Sequence, residues 1–358
     1  MGRNSVIGLD IGTSAVRAAE LDLRRDPPTL VRFGQVMLPP GAVRDGEILD
    51  ELAVGEKLAE LWKRAGFKSR RVSVGISNQR VIVRQVEMPW MEENDLEKGL
   101  AFQVQDHLPI PVEDAILDFQ ILEEFAGPDH ERMMRVLLVA AQREMIDTLL
   151  SALRRASIRP DVVDLMPFAL MRTLGVSPEF AQIQVLGDDA PRGVAEAIVD
   201  IGAGVTNIVV HEHGVPRFVR ILVAGGQEVT DALATALGTG FEEAEMLKRQ
   251  AAYEPVGPEA ERIIEDRTKS VIEEVRGSLD YFCAQPEAAQ LGRVVITGGG
   301  GRIPDLVPRL EAATGVPTEI GHPLSHVRLG KLGLDPDQLA EAEALIACPV
   351  GLALGERR

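Results

Sequence analysis

One pattern occurs twice in this chain and constrains its architecture more than any other feature. Val6-Ile7-Gly8-Leu9-Asp10-Ile11-Gly12-Thr13-Ser14-Ala15 runs from an apolar strand through Asp-Ile-Gly into small and hydroxyl residues, and then into a second strand. Ala197-Ile198-Val199-Asp200-Ile201-Gly202-Ala203-Gly204-Val205-Thr206 repeats that grammar 190 residues later, Asp200 standing where Asp10 stood. Each copy reads as a hairpin whose turn carries almost no side chain. Repetition on this scale means two similarly built halves, each able to bring one Asp and one glycine-rich turn to a shared cleft. The length of 358 residues, about two domains' worth, agrees with that division.

Between the repeats, residues 52–65 have the spacing of an amphipathic helix, and two β-rich runs follow at 72–76 and 81–86. Leu96, Leu100, Val104 and Leu108 recur on one helical face before Pro109-Ile110-Pro111 ends the run. Strands at 116–122 and 133–141 and a helix at 144–156 complete a strand-strand-helix-strand-strand-helix module, read as an insert over 70–155. A polar, turn-rich stretch at 187–193 reads as an exposed loop. Helices are expected at 227–237, 241–252, 260–282 and 304–314, and a last one from Leu339 to about Leu354. The buried strand Val294-Val295-Ile296-Thr297 runs directly into Gly298-Gly299-Gly300-Gly301.

Composition removes several function classes. A net charge of −17, with basic residues in scattered pairs such as Arg24-Arg25, Arg70-Arg71 and Arg154-Arg155, opposes a nucleic-acid backbone. An aromatic content of 4% offers few stacking surfaces for bases. Cys283 and Cys348 are too few for a disulfide framework, and both are expected to be buried as small apolar residues. No leader-like segment and no apolar run of about 20 residues is present, so a cytoplasmic location without a membrane span is expected. A polyanionic small molecule is still compatible with the charge, because backbone N–H groups and a metal ion can supply a local positive field.

Phosphates are bound well where backbone N–H groups converge and no Cβ blocks approach. Gly12, Thr13 and Ser14 form one such turn; Gly202, Ala203 and Gly204 form another. Asp10 and Asp200, facing each other across the cleft, suit Mg²⁺ held through water, since that ion prefers oxygen ligands and keeps its hydration. The Gly298, Gly299 and Gly300 run at a strand end lets backbone pack against a base or ribose.

This constellation resembles the actin-like ATPase superfamily. The resemblance implies an α/β, actin-like ATPase fold with two RNase H-like halves around a nucleotide cleft. It makes the two hairpins phosphate loops, the glycine run an adenosine loop, and Glu245-x-x-Lys248 a ribose- and adenine-holding pair. Glu87-Met88-Pro89, His107 to Pro111, Leu117 to Leu122, Leu138 to Glu144, Asp200 to Asn207, Ala224 to Gln227 and Ile296 to Pro304 narrow the likeness to the PilM family of type IV pilus assembly proteins. That likeness adds Arg17, Thr206, Asn207, Gly226, Arg302 and Ile303 to the expected ATP (or ADP) and Mg²⁺ site. It implies subdomain 1A at 1–69 and 156–190, 1C at 70–155, 2A at 191–238 and 291–358, and 2B at 239–290.

By the same resemblance the partners are the N-terminal cytoplasmic peptide of a PilN-like membrane protein, held between 1A and 1C, and other pilus platform and motor proteins. An oligomer is compatible with this, and the protein is peripheral to the membrane through its partner. Arg17 stands where a Lys is usual, and Val205 where a hydroxyl is frequent. Both departures favour binding over hydrolysis, for which Gln142 is the one candidate to orient water. Two other readings share the fold. A sugar or small-molecule kinase needs a positioned carboxylate base, but Asn94-Asp95 reads as a helix start. An FtsA-like division protein needs a terminal amphipathic anchor, for which Val350 to Arg358 is too short and too weakly patterned.

Overall fold

The structure is a computed structural model that describes residues 5–175, 193–285 and 288–355. Strand β1 (Ser5–Ile11) turns back into β2 (Ala15–Asp22), pairing Asp10 with Arg17 and Ile11 with Val16, and β3 (Thr29–Met37) continues the meander. A two-residue pair, β4 (Val43–Arg44) and β5 (Glu47–Ile48), leads to α1 (Glu51–Ala65). Helix α1 starts where the Asp50 carboxylate accepts from the Leu52 and Ala53 N–H groups, and it ends at Gly66 in the left-handed conformation. Its apolar stripe of Val54, Leu58, Leu61 and Trp62 is buried against the sheet. β6 (Arg71–Ile76) then lies parallel to β1.

Next come β7 (Val81–Pro89), α2 (Glu93–Val104), β8 (Ala115–Ala126), β9 (Arg132–Gln142) and α3 (Arg143–Arg155). The chain returns through β10 (Arg159–Leu165), parallel to β6, and α4 (Met166–Leu174). The second half comprises β11 (Val194–Ile201), β12 (Thr206–Glu212), β13 (Val215–Leu222), α5 (Gly226–Leu237), α6 (Phe241–Gln250), α7 (Pro258–Cys283), β14 (Gln290–Thr297), α8 (Leu306–Thr314) and β15 (Thr318–Ile320). Last are β16 (Arg328–Leu329), α9 (Pro336–Glu343) and α10 (Ala347–Leu354).

The repeat seen in the sequence is a repeat of topology. The first sheet runs β10-β6-β1-β2-β3-β16 and the second β15-β14-β11-β12-β13. In both, the hairpin strand and its two successors form an antiparallel meander, and the two strands on its other side run parallel to it. These are the two RNase H-like halves of an actin-like fold. A three-stranded antiparallel sheet, β7-β9-β8, stands apart with α2 packed on one face through Leu96, Leu100 and Val104.

Several expectations need correction. Arg71–Ile76 does not belong to the insert. Its Val72 and Val74 are buried in the first half's core, because an apolar strand beside β1 gains two parallel neighbours there. Helix α3 also belongs to that core, packing Leu149, Ala152 and Leu153 against α1. The separate sheet spans only β7 to β9, not 70–155. The C-terminal stretch given to the second half crosses back: β16 pairs with β3, and α10 packs on β1, β2 and α4.

The single helix expected from 339 onward is two. Asp335 and Gln338 form a reciprocal cap that starts α9, while Pro349, which lacks an N–H, is accommodated in the first turn of α10. Gly8 marks where α10 seats: an added Cβ there would overlap the Pro349 carbonyl and stand 2.8 Å from the Ala353 nitrogen. Cys348 is buried as expected, but Cys283 is exposed. Of the loop expected at 187–193, only Gly193 falls among the described residues. Among them, no helix is long and apolar enough to cross a membrane.

Candidate functional site

The two hairpin turns close identically. Gly12 N–H donates to the Ala15 carbonyl at 3.0 Å, and Gly202 N–H to the Val205 carbonyl at 2.9 Å. They meet across the space between the halves, where Gly204 lies against Thr13, an added Cβ falling 2.7 Å from its Oγ1. Helix α5 starts on the second turn, Gly226 N–H bonding to the Gly202 carbonyl at 3.0 Å and Gln227 N–H to Ala203 at 2.8 Å. After β14, Gly298 takes φ +84°, and a Cβ there would sit 2.5 Å from both Asp200 Oδ1 and the Ile201 carbonyl. Only glycine meets both the left-handed backbone and that approach. The result is a cleft of about 430 Å³, a size suited to a small molecule.

Asp10 and Asp200 sit at the roots of the turns. Burial pushes the Asp10 carboxyl up from 3.8 to about 6, the Arg17 guanidinium opposing the shift and the Asp200 charge adding to it. Arg17 Nη1 stands 3.4 Å from Asp10 Oδ2, while its Nε donates to Gln35 Oε1 at 2.9 Å. Burial raises Asp200 as well, against hydrogen bonding from Asn207 and the charge of Arg17. Two desolvated carboxyls directed at one cleft form an oxygen donor set that fits a hydrated Mg²⁺. Among the described residues no group of three or more His, Cys, Asp or Glu could cage a metal, so most of the ion's ligands would be water and phosphate oxygen.

On the opposite wall, Lys248 Nζ bonds to the Gly226 carbonyl at 2.9 Å, Thr230 Oγ1 at 2.8 Å and Glu245 Oε2 at 2.5 Å. Burial holds Lys248 below its ordinary range, with Glu245 opposing. Burial alone would raise Glu245; the Lys248 charge and hydrogen bonds from Lys248, Thr230 and Arg249 outweigh it and hold the carboxyl below its usual range.

The structure gathers most of the candidate residues. Asp10, Gly12, Thr13, Ser14 and Arg17 line the cleft from the first half. Asp200, Gly202, Ala203, Asn207, Gly226, Glu245, Lys248, Gly298, Gly299, Gly300, Arg302 and Ile303 line it from the second. Three candidates lie elsewhere. Gly204 packs behind its turn on Thr13. Thr206 is fully buried, its hydroxyl donating to the Ala224 carbonyl at 2.8 Å, because β12 turns it inward. Gln142, at the end of β9, lies in a separate groove of about 500 Å³ with Glu51, Asp114, Glu144 and Asp147, where it cannot orient water in the cleft.

Arg302 lines the wall, but its guanidinium is tied to the Ala340 and Glu341 carbonyls, clasping α9 to the glycine turn. The sequence reading missed Ser77, Gln35, Tyr253 and Cys348, all of which line the cleft. No local pattern marks them; each arrives through strand or helix placement decided elsewhere in the chain.

Comparison with known proteins follows the same lines. A sequence profile of the family described as type IV pilus assembly protein PilM matches residues 8–357. The solved PilM–PilN type IV pilus biogenesis complex is similar with a TM-score of 0.82 at 27% identity, over 98% of this chain and 97% of that one. MreB5 of Spiroplasma citri bound to ADP is similar in fold, with a TM-score of 0.55 at 13% identity over 98% and 95% of the two chains. The cell division protein FtsA of Streptococcus pneumoniae is 23% identical over 353 residues, 86% of this chain and 73% of that protein.

Proposed function

This chain belongs to the PilM family of type IV pilus assembly proteins, and from that premise we propose that it is an ATP-binding scaffold at the cytoplasmic face of the inner-membrane platform. The observation that carries the nucleotide reading is the meeting of two like turns, each rooted by a buried carboxyl, at one cleft. The N–H groups of Thr13 and Ser14 and of Ala203, which no turn-closing bond occupies, would receive the phosphates. Asp10 and Asp200 would hold water molecules around Mg²⁺. Glu245 and Lys248, locked to each other, would face the ribose, and the Gly298 turn would accept the adenosine. Mg²⁺, when bound, would neutralise phosphate charge beside the two carboxylates. With Gln142 outside the cleft, turnover is expected to be weak, and the nucleotide acts as a ligand that favours one arrangement of the halves.

For the partner we propose the N-terminal cytoplasmic peptide of a PilN-like membrane protein, in the groove between the separate sheet and the first half. Support comes from that groove's chemistry: Glu51, Asp114, Glu144 and Asp147 line it, while the backbone carbonyls of Glu113 and Ala115 occupy its Arg143. An acidic lining suits a peptide's α-ammonium group and basic side chains. A similar protein has been solved in complex with PilN, which is the reason to look for a partner of that kind.

Calorimetry tests both readings. Wild type is expected to bind ATP with Mg²⁺, and Asp10→Ala and Asp200→Ala to bind it at least tenfold more weakly; equal binding by all three refutes the cleft assignment. A synthetic PilN-like N-terminal peptide is expected to bind 1:1 and to lose affinity with Asp114→Lys and Asp147→Lys. Unchanged peptide binding by the folded variants removes the groove.

A further inference from the structure

The carboxylate of the second half is held by side chains that come from both halves. Ser77 Oγ donates to Asn207 Oδ1 at 2.5 Å, and Asn207 Nδ2 donates to Asp200 Oδ2 at 3.1 Å. The Cys348 thiol reaches the same Oδ2 at 3.7 Å. Ser77 follows β6 and Cys348 lies in the first turn of α10, so both belong to the first half; Asn207 and Asp200 belong to the second. The polarity of this chain is forced. An ionised carboxylate only accepts, so Asn207 presents its NH₂ to it; its carbonyl then faces Ser77, and the hydroxyl has to donate.

The first-half donors are themselves anchored. Asn78, next to Ser77, bonds the Asp45 carbonyl at 2.8 Å and receives the Arg80 N–H at 2.7 Å. Cys348 is carried by a helix seated on β1, and it is buried with its thiol directed at the carboxylate. Both donors converge on Oδ2, while Oδ1 lies against Gly298, whose missing Cβ would fall 2.5 Å from it.

We propose that Ser77, acting through Asn207, and Cys348, acting directly, are positioning residues that set which oxygen of Asp200 faces the cleft, and that they do so only while the two halves are closed on each other. The inference rests on the reading of the cleft as a Mg²⁺-nucleotide site and deepens it: closing the halves and orienting the carboxylate become one event. Ser77 stands at the root of the separate sheet, just before β7. Displacing that sheet and reorienting Asp200 are therefore linked, and linked reciprocally.

The test is the Mg²⁺ dependence of ATP affinity, the ratio of Kd in EDTA to Kd in excess Mg²⁺, measured by calorimetry. Ser77→Ala is expected to lower that ratio about fivefold, the scale of one neutral hydrogen bond. Ser77→Thr should restore it. Cys348→Ala should lower it by a smaller factor that Cys348→Ser recovers, and the Cys348 pair carries the same test if Ser77→Ala fails to fold. Wild-type ratios in both Ala variants overturn the proposal even if every affinity falls together, because uniform loss reports a damaged cleft. A wild-type chain that binds no ATP overturns the nucleotide reading and the relay with it, and one that binds ATP equally with and without Mg²⁺ overturns the Mg²⁺ assignment and the relay.

Discussion

Replacing Asp10 with Asn should stabilise the protein at neutral pH. The Asp10 carboxyl is raised by burial from 3.8 to about 6, with the opposing pull of Arg17 already included. The folded state therefore binds a proton more tightly than the unfolded chain does. Stability contributed by this group is full below 3.8 and is lost as pH rises through about 6. The gap between the two values corresponds to about 3 kcal/mol. Asn has the shape of the protonated acid and cannot ionise, so Asp10→Asn escapes that loss.

Urea unfolding of both proteins at pH 4 and at pH 7.5 reads the effect. The difference in unfolding free energy should move by about 2.4 kcal/mol in favour of the variant between the two pH values, since pH 4 lies just above the unfolded value. Other titrating groups are common to both chains and cancel. Parallel stability curves across this range would mean that Asp10 ionises without penalty, and the argument from desolvation would be wrong. The same substitution should weaken binding of ATP with Mg²⁺, so stability and affinity are expected to change in opposite directions.

Other consequences are equally direct. Gly298→Ala puts a side chain at φ +84° and into contact with Asp200; a loss of about 2 kcal/mol or more and a large drop in ATP affinity should appear together in melts and calorimetry. Lys248→Ala strips the Gly226 carbonyl, Thr230 and Glu245 of their common donor, and ATP affinity should fall while Mg²⁺ dependence is retained. Glu196→Ala leaves Arg293 and the buried His211 without their shared carboxylate, which should cost about 3 kcal/mol in denaturant melts with ATP affinity nearly unchanged. ATP at 100 times its Kd should stabilise the wild type by about 2.7 kcal/mol, a shift that the same ATP concentration should cut to about 1.4 kcal/mol or less in Asp200→Ala.

The paired hairpins were legible because their information is local: an apolar run, an Asp and a tight turn lie within one stretch, and the pattern recurs. Helix limits were legible where caps are explicit, as at Asp50 and Gly66 of α1. Sheet membership was not. Arg71–Ile76 and Val81–Pro89 are close in sequence and both β-rich, yet one pairs with β1 and the other with β9. That choice depends on which neighbours bury Val72 and Val74, and no single stretch contains them all. Ser77 and Cys348 were invisible for the same reason, since their partners Asn207 and Asp200 lie 130 and 148 residues away. Thr206 and Gln142 erred the other way: residue type suggested a role, and strand facing assigned them to other surroundings.

The seating of α10 on β1 also orders events at the ribosome. Val6 lies in one core with Val350 and Ala353, so β1 cannot bury that face until residues 347–354, made long after it, have emerged. The three-stranded sheet can assemble earlier, as domains do during synthesis, whereas Ile198, Val209 and Val295 of the second half also wait for Ala347 and Leu352. A chain cut short before position 347 would keep an uncovered β1 and would lack Cys348 at the cleft. Translation through position 354 is thereby a condition for a finished binding site, and chains that stop short of it would expose an apolar strand to chaperones and proteases instead of competing for a place in the assembly.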